Sequence, residues 1–329
     1  MFCRLCLSEY NTCMEKTLYA EALAKLNPAQ RQAVEAIDGP VMVIAGPGTG
    51  KTEVLALRIA HILEVTDTPA SGVLCLTFTR SGVRAMRERL ERHIGSRAHE
   101  VTISTFHSFA IEIIEKHFEL LDFTRMPRLL DDREAVFIVD EILHANEWEH
   151  LRPRGNPATY FSDIKSLNSL LKRERMTPAD FLAAIERDIA ELRDNPDNIS
   201  SRGERKGELK KEVLKKIESL ERTREVVRFY ELYEAEKKDR GLMDYDDVLE
   251  YAVRLVEESE DVRADMRENF LYVLVDEHQD SSGVQNSFLR AVWQDTDKPN
   301  IFVVGDDRQL IYGFGGASLS YFEDFKTLF

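Results

Sequence analysis

The sequence predicts an α/β protein: a parallel sheet interrupted by a long, all-helical insertion. Three observations carry this expectation. Short, fully apolar runs alternate with amphipathic helical stretches near both ends of the chain. A glycine-rich loop joins the first of these runs to a helix. Between about Glu119 and Arg240 the strand signals vanish and helical spacing takes over.

At 329 residues the chain has room for about two domains. With 43% hydrophobic and 31% charged residues it falls among globular rather than disordered or fibrous chains. No apolar run nears the ~20 residues of a membrane span, and the N-terminus lacks a signal-peptide core. The expectation is a cytoplasmic protein with no membrane partner. A net charge of -15 argues against indiscriminate adhesion to nucleic acid but leaves room for a local basic groove. Of the four cysteines, Cys75 lies in an apolar run and reads as a buried thiol. Cys3, Cys6 and Cys13 sit in a leader that reads as disordered; Cys3 and Cys6 have the spacing of half a zinc site, and no second pair follows.

Taken in order, Leu26 to Val34 opens with a helix that Asn27 caps and Pro28 starts. Gln30 on that helix carries an amide that both donates and accepts, as an adenine edge requires. Val41 to Ile44 is a strand apolar on both faces. Ala45, Gly46, Pro47, Gly48, Thr49 and Gly50 are too glycine-rich for strand or helix, and Lys51-Thr52 follows. Leu55, Ile59, Ile62 and Leu63 then recur at helical spacing. Strand, glycine loop and helix in that order read as a phosphate-binding loop, although Ala45 stands where the pattern opens with glycine. Its backbone N–H groups wrap phosphates at the positive end of the helix. Lys51 is expected to reach the terminal phosphates, and the Thr52 hydroxyl to hold Mg²⁺.

A second strand, Val73 to Phe78, leads into Thr79-Arg80-Ser81 and a helix over Gly82 to His93. A third, Val101 to Ile103, leads into Thr105-Phe106-His107 and a further helix from Ala110. The central block reads as helices over Glu134 to Leu143, Tyr160 to Leu171, Pro178 to Leu192 and Gly207 to Lys238. Lysines cluster at Lys210, Lys211, Lys215 and Lys216, either as a solvated face or as a contact to a DNA backbone. Strands return at Leu271 to Val275 and Ile301 to Val304.

In an open parallel sheet, ligands gather at the carboxyl ends of the strands. Every polar cluster named above follows a strand, so all are expected on one edge. Asp276 is placed to position Mg²⁺, and Glu277 to orient an attacking water. Gln309 is placed to sense a γ-phosphate. Phe78, Tyr312 and Phe314 follow polar turns and read as stacking platforms for single-stranded bases.

Together these segments resemble the superfamily 1 DNA helicases of the UvrD/Rep/PcrA type. LNPAQRQAV looks like the Q motif, AGPGTGKT motif I, LTFTRSGVRAMRERL motif Ia and TFHSF motif Ib. VDEHQDSSGVQ looks like motif II and VVGDDRQLIYGFGGA motif III; GLMDYDDVL fits a helix-capping signature. The resemblance implies an ATP- and Mg²⁺-dependent translocase moving 3′→5′ on single-stranded DNA and acting at DNA junctions in repair. It implies that Gln30 reads adenine, that Gln309 couples the γ-phosphate to the DNA groove, and that Thr79, Thr105 and His107 touch DNA beside the aromatic pockets.

The resemblance also divides the chain. Residues 1–25 form a leader and first helix, 26–118 and 241–329 a RecA-like domain 1A, and 119–240 a helical insertion 1B. Arg80-Ser81 replaces the usual Asn-Lys of motif Ia, and Arg308, Leu310 and Gly315 depart from motif III. The family's second RecA-like domain, with motifs IV to VI and the arginines that complete the ATP site, is not in these residues. The expectation is therefore an N-terminal half, weak or inactive alone. Two other readings stay open: part of a helicase-nuclease subunit of the AddA/RecB kind, or a fragment that binds ATP without turnover.

Overall fold

The computed structural model describes residues 18–151, 158–173, 175–200, 207–306 and 319–329. Two compact units emerge, Met1–Leu121 with Val248–Phe329, and Asp122–Asp247. Among the described residues no helix is long and apolar enough to cross a membrane. The leader cysteines lie outside the described residues.

The first unit is built on a five-stranded sheet. Its strands are β1 (Val41–Ile44), β2 (Val73–Thr77), β3 (Thr102–Thr105), β6 (Tyr272–Val275) and β7 (Ile301–Gly305). Their order is β1-β7-β6-β2-β3 and every pairing is parallel. Val, Leu and Ile on both faces suit the inner strands, because a parallel sheet is covered on both sides. β1 instead lies at the edge with Ile44 52% exposed, which corrects the reading of that strand as buried on both faces. Register aligns Ile44 with Gly305, Val275 with both Val303 and Leu76, and Thr77 with Thr105. The carboxyl ends therefore share one edge, as the sequence predicts.

Helices cover the sheet. α1 (Pro28–Glu35), α2 (Lys51–Val65) and α3 (Arg80–Ile94) pack on one face. There Leu55, Ile59 and Ile62 of α2 and Met86 and Leu90 of α3 meet Cys75, Leu274 and Phe302. Each fully buried aliphatic chain contributes about 1.5–3 kcal/mol. Burial raises the pKa of the Cys75 thiol, which leaves it inert. On the other face Phe109 of α4 (Phe106–His117) meets Phe288 of α11 (Gly283–Trp293) edge-on at 6.1 Å.

Arg58 lies within the first of these cores. Its guanidinium sits 4.3 Å over the Phe302 ring and donates 2.7 Å to the Ala33 carbonyl at the end of α1. Desolvation lowers its pKa to about 10. Helical spacing gave no reason to expect a buried cation on α2.

Among the described residues the second unit is mainly helical. β4 (Arg128–Leu129) and β5 (Leu242–Met243) pair in parallel, which corrects the strand-free reading of the central block. Two-residue strands are too short to show a period-2 pattern. The helices are α5 (Asp132–Ala145), α6 (Ala158–Arg173), α7 (Pro178–Asp194) and α8 (Lys211–Arg240). α8 spans 30 residues and ends at Gly241, whose φ of 65° is the left-handed cap that glycine favours. It starts later than the pattern suggests, because Gly207 also adopts a positive φ, 92°. Lys211, Lys215 and Lys216 are exposed on its first turns beside Glu212 and Glu218.

A buried ion cluster organises this unit. Lys237 is fully buried and contacts Glu234, Asp244 and Asp247 at 2.8, 2.7 and 2.7 Å. Lys172 of α6 contacts Glu234 and Asp244, both at 2.9 Å. The Asp244 carboxylate also accepts from the Asp246 and Asp247 amides, capping α9 (Tyr245–Glu258). The three carboxylates hold the Lys172 pKa well above its ordinary value despite desolvation. Removing one partner of a buried ionic network strands the rest in low dielectric. Lys237→Met should therefore cost about 3–5 kcal/mol in urea unfolding. A cost below about 1 kcal/mol would show that Lys172 alone neutralises the cluster.

Candidate active site

The glycine loop follows from its backbone. The Ala45 N–H donates to the Gly305 carbonyl at 2.9 Å, extending the ladder one residue past β1. Gly48 and Gly50 adopt φ of 71° and 80°, a region that penalises any side chain. A Cβ at Gly48 would meet nothing within 4 Å, so backbone conformation and not space selects glycine there. The Thr49 hydroxyl donates 2.7 Å across the loop to the Gly46 carbonyl. Gly50 caps α2, and its carbonyl accepts from the Glu53 and Val54 amides. Pro47 to Gly50 are exposed, Thr52 is half-buried, and the positive end of a 15-residue helix faces the loop.

Gln30 clamps this loop to α1. Its amide donates 2.9 Å to the Thr49 carbonyl, and its oxygen accepts from the Asn27 amide at 3.0 Å in a reciprocal cap. One N–H and one lone pair of that amide are not used by these two bonds.

β6 delivers the acids. Asp276 is buried and accepts from the Glu277 amide at 3.0 Å. Glu277 adopts φ 50° and ψ 45°, a left-handed conformation that costs a non-glycine residue on the order of 1 kcal/mol. From that turn its carboxylate accepts 2.8 Å from the Lys51 ammonium, across 226 positions of sequence. The buried Gln279 amide also donates to Glu277 at 2.8 Å, while its oxygen accepts from the Asp306 amide at 3.0 Å.

Burial and the Glu277 charge push the Asp276 carboxyl up to about 6, and the same two causes do so for Asp280. Lys51 opposes the shift at both. His278 is fully buried, so desolvation lowers it to about 4 and keeps it neutral. It lies 6.0 Å from the Phe325 ring of α12 (Leu319–Leu328) and near the Ser281 hydroxyl.

The remaining expected residues divide by exposure. Phe78 is 36% exposed just past β2, and Thr79 beside it is exposed. Thr79 caps α3 by accepting from the Gly82 amide at 3.0 Å. Thr105 is buried, and its hydroxyl accepts from the Ser108 amide at 3.2 Å to cap α4. His107 is half-buried in the first turn of α4. Gln309, Tyr312 and Phe314 lie outside the described residues. Sequence reasoning missed Gln279, although a neutral amide inside the acidic run Asp276 to Asp280 was a visible signal.

A parallel sheet, a glycine loop capped by a lysine-led helix and an acid pair on the adjoining strand end are consistent with a P-loop fold. The chain belongs to the UvrD/REP helicase N-terminal domain family, which it matches over residues 26–329. It is 26% identical over 304 residues to the ATP-dependent DNA helicase PcrA of Staphylococcus aureus, covering 92% of this chain and 36% of that protein. It is 29% identical over 294 residues to the ATP-dependent DNA helicase Rep of Salmonella typhimurium, covering 89% and 37%. PcrA of Leuconostoc citreum is 26% identical over 302 residues, covering 92% and 35%. The chain thus spans about a third of the length of the curated relatives it matches.

The raised Asp276 value is also a stability statement. Between about pH 4 and 6 the folded state binds protons that the unfolded state has released, so stability falls as pH rises through that window. Asp276→Asn removes the buried charge. It should raise unfolding free energy at neutral pH by about 1–3 kcal/mol, with the gain fading by about pH 4. An unchanged or less stable variant at neutral pH would contradict the burial argument.

Proposed function

We propose that residues 26–329 form the ATP-binding part of a DNA helicase motor that steps 3′→5′ along single-stranded DNA. The observation carrying this reading is the 2.8 Å contact between Lys51 of the glycine loop and Glu277 of the acid pair. It brings Lys51 and Glu277 together at one sheet edge, which supports phosphate binding for the first and the role of base for the second. In this reading Asp122–Asp247 corresponds to the inserted domain 1B and the other unit to domain 1A.

The residues present fit Mg·ATP. Gly48 leaves open space beside exposed backbone, and burial makes charge on the Asp276 carboxylate costly until a cation shares it. Thr52 and Asp276 would hold Mg²⁺, which when bound neutralises charge on the phosphates. Ala45 to Gly50 wrap the phosphates and Lys51 turns from Glu277 toward them. Glu277, so released, orients a water. Gln30 offers its remaining N–H and lone pair to adenine. Gln309 takes the role of γ-phosphate sensor.

DNA would lie along the same edge. Phe78, Tyr312 and Phe314 stack bases, each stack contributing ~1–3 kcal/mol, and Thr79 and His107 touch the strand beside them. Thr105 acts instead by capping α4, where its hydroxyl is already used. Arginines from a second RecA-like unit, in the same polypeptide or in a partner, complete the site and contribute ~10³–10⁵ in rate.

Steady-state ATPase assays of residues 1–329, with and without single-stranded DNA, test the reading. Weak nucleotide binding, slow hydrolysis and no unwinding are expected, with hydrolysis abolished by Lys51→Ala and by Glu277→Gln. Hydrolysis that survives both substitutions would move the chemistry away from this edge. Robust DNA-stimulated turnover lost in both would show that the chain completes its own site.

A further inference from the structure

Gln279 occupies the middle of a chain of contacts. Lys51 Nζ donates to Glu277 Oε2 at 2.8 Å. Gln279 Nε2 donates to that same oxygen at 2.8 Å, and lies 3.3 Å from Asp280 Oδ2. At its other end Gln279 Oε1 accepts from the Asp306 backbone amide at 3.0 Å. Asp306 is the first residue past β7, and both it and Gln279 are buried.

We propose that Gln279 is a positioning residue that transmits phosphate occupancy of the glycine loop to the backbone at the end of β7. This rests on the nucleotide-binding reading above. The physical basis is the planarity of the amide. Its N–H₂ and C=O groups are fixed relative to each other, so rotating one end moves the other. In the state described here Lys51 and Gln279 share one Glu277 oxygen. A phosphate in the loop draws Lys51 away, and the Glu277 carboxylate is then held by Gln279 without its cation. As that carboxylate turns toward water, the amide turns with it and Oε1 leaves the Asp306 N–H. Coupling requires that this buried bond, which bridges two strand ends, have two discrete arrangements, and the proposal assigns it one for the empty loop and one for the occupied loop.

The strained turn at Glu277 supports the same reading. A left-handed glutamate persists only where its surroundings hold it. Here the Asp276 carboxylate accepts from its amide, its carbonyl accepts from the Asp280 amide, and Lys51 and Gln279 hold its carboxylate. Loss of Lys51 leaves Gln279 to set the new position of that carboxylate.

Hydrogen exchange at the Asp306 amide, measured with and without a saturating non-hydrolysable Mg·ATP analogue, tests the proposal. Saturation is checked for each variant by titrating a fluorescent nucleotide. In the wild-type chain, nucleotide should speed Asp306 exchange by at least about threefold. In Gln279→Ala the amide should exchange fast in both states. In Gln279→Glu, whose carboxylate accepts from Asp306 but cannot donate to Glu277, exchange should stay slow in both. A role confined to stability would leave the nucleotide response intact in the Glu variant, and that outcome overturns the proposal. So does a wild-type chain that binds nucleotide with no change at Asp306. A variant that has lost nucleotide binding altogether also overturns it, because Gln279 is placed one contact away from the loop. A wild-type chain that binds no Mg·ATP would defeat the functional reading itself, and the relay with it.

Discussion

The ion pair between Lys51 and Glu277 is the contact on which the architecture of the sheet edge converges. Neither residue can reach the other without the fold. Lys51 needs β1 to end one residue before the glycine loop, and it needs the loop to reverse through two left-handed glycines. Glu277 needs β6 two places away in the sheet and a strained turn directly after Asp276. Parallel pairing aligns those two strand ends through β7, which pairs with both. The carboxylate is partly exposed and the lysine is buried, so the pair is worth less as stability than as an arrangement of charge.

That arrangement explains the surrounding protonation. Three acids, Asp276, Glu277 and Asp280, crowd one corner with Lys51, and Asp276 and Asp280 are buried there. Charge repulsion and burial leave two of the carboxyls with values near 6. Such a corner is costly for a fold, the usual trade at functional sites, and in the proposed reading a divalent cation relieves it. The second unit solves a similar problem differently. There two lysines sit among Glu234, Asp244 and Asp247, and the network is closed by its own charges. The first corner is left short of positive charge, the second nearly balanced.

Much of the sheet was legible because its signals are local. Four-residue apolar runs, glycines before a lysine and a capped helix each need only neighbouring residues to be read. That Lys51 and Glu277 share one sheet edge was legible too, through the rule that strand ends gather there, but their direct contact was not. What escaped were features that depend on distant partners. Arg58 looks like an exposed residue of α2 until Phe302 and the Ala33 carbonyl enclose it. Lys172 and Lys237 look like solvated lysines until three carboxylates surround them. Thr105 reads as a surface hydroxyl but is buried as a cap, because its strand runs two residues longer than the apolar pattern shows. Gln279 stands out as a neutral amide among acids, but its partner, the Asp306 amide, lies 27 residues away.

The most direct test concerns what phosphate must displace. If Lys51 is held by Glu277 until nucleotide binds, removing the competing charge should favour binding even as it removes the base. Titration calorimetry of Mg·ATP analogue binding, comparing the wild-type chain with Glu277→Gln at neutral pH, measures this. The account predicts binding about three- to tenfold tighter in the variant, or roughly 0.7–1.4 kcal/mol. Equal or weaker binding would contradict the claim that this ion pair guards the phosphate site.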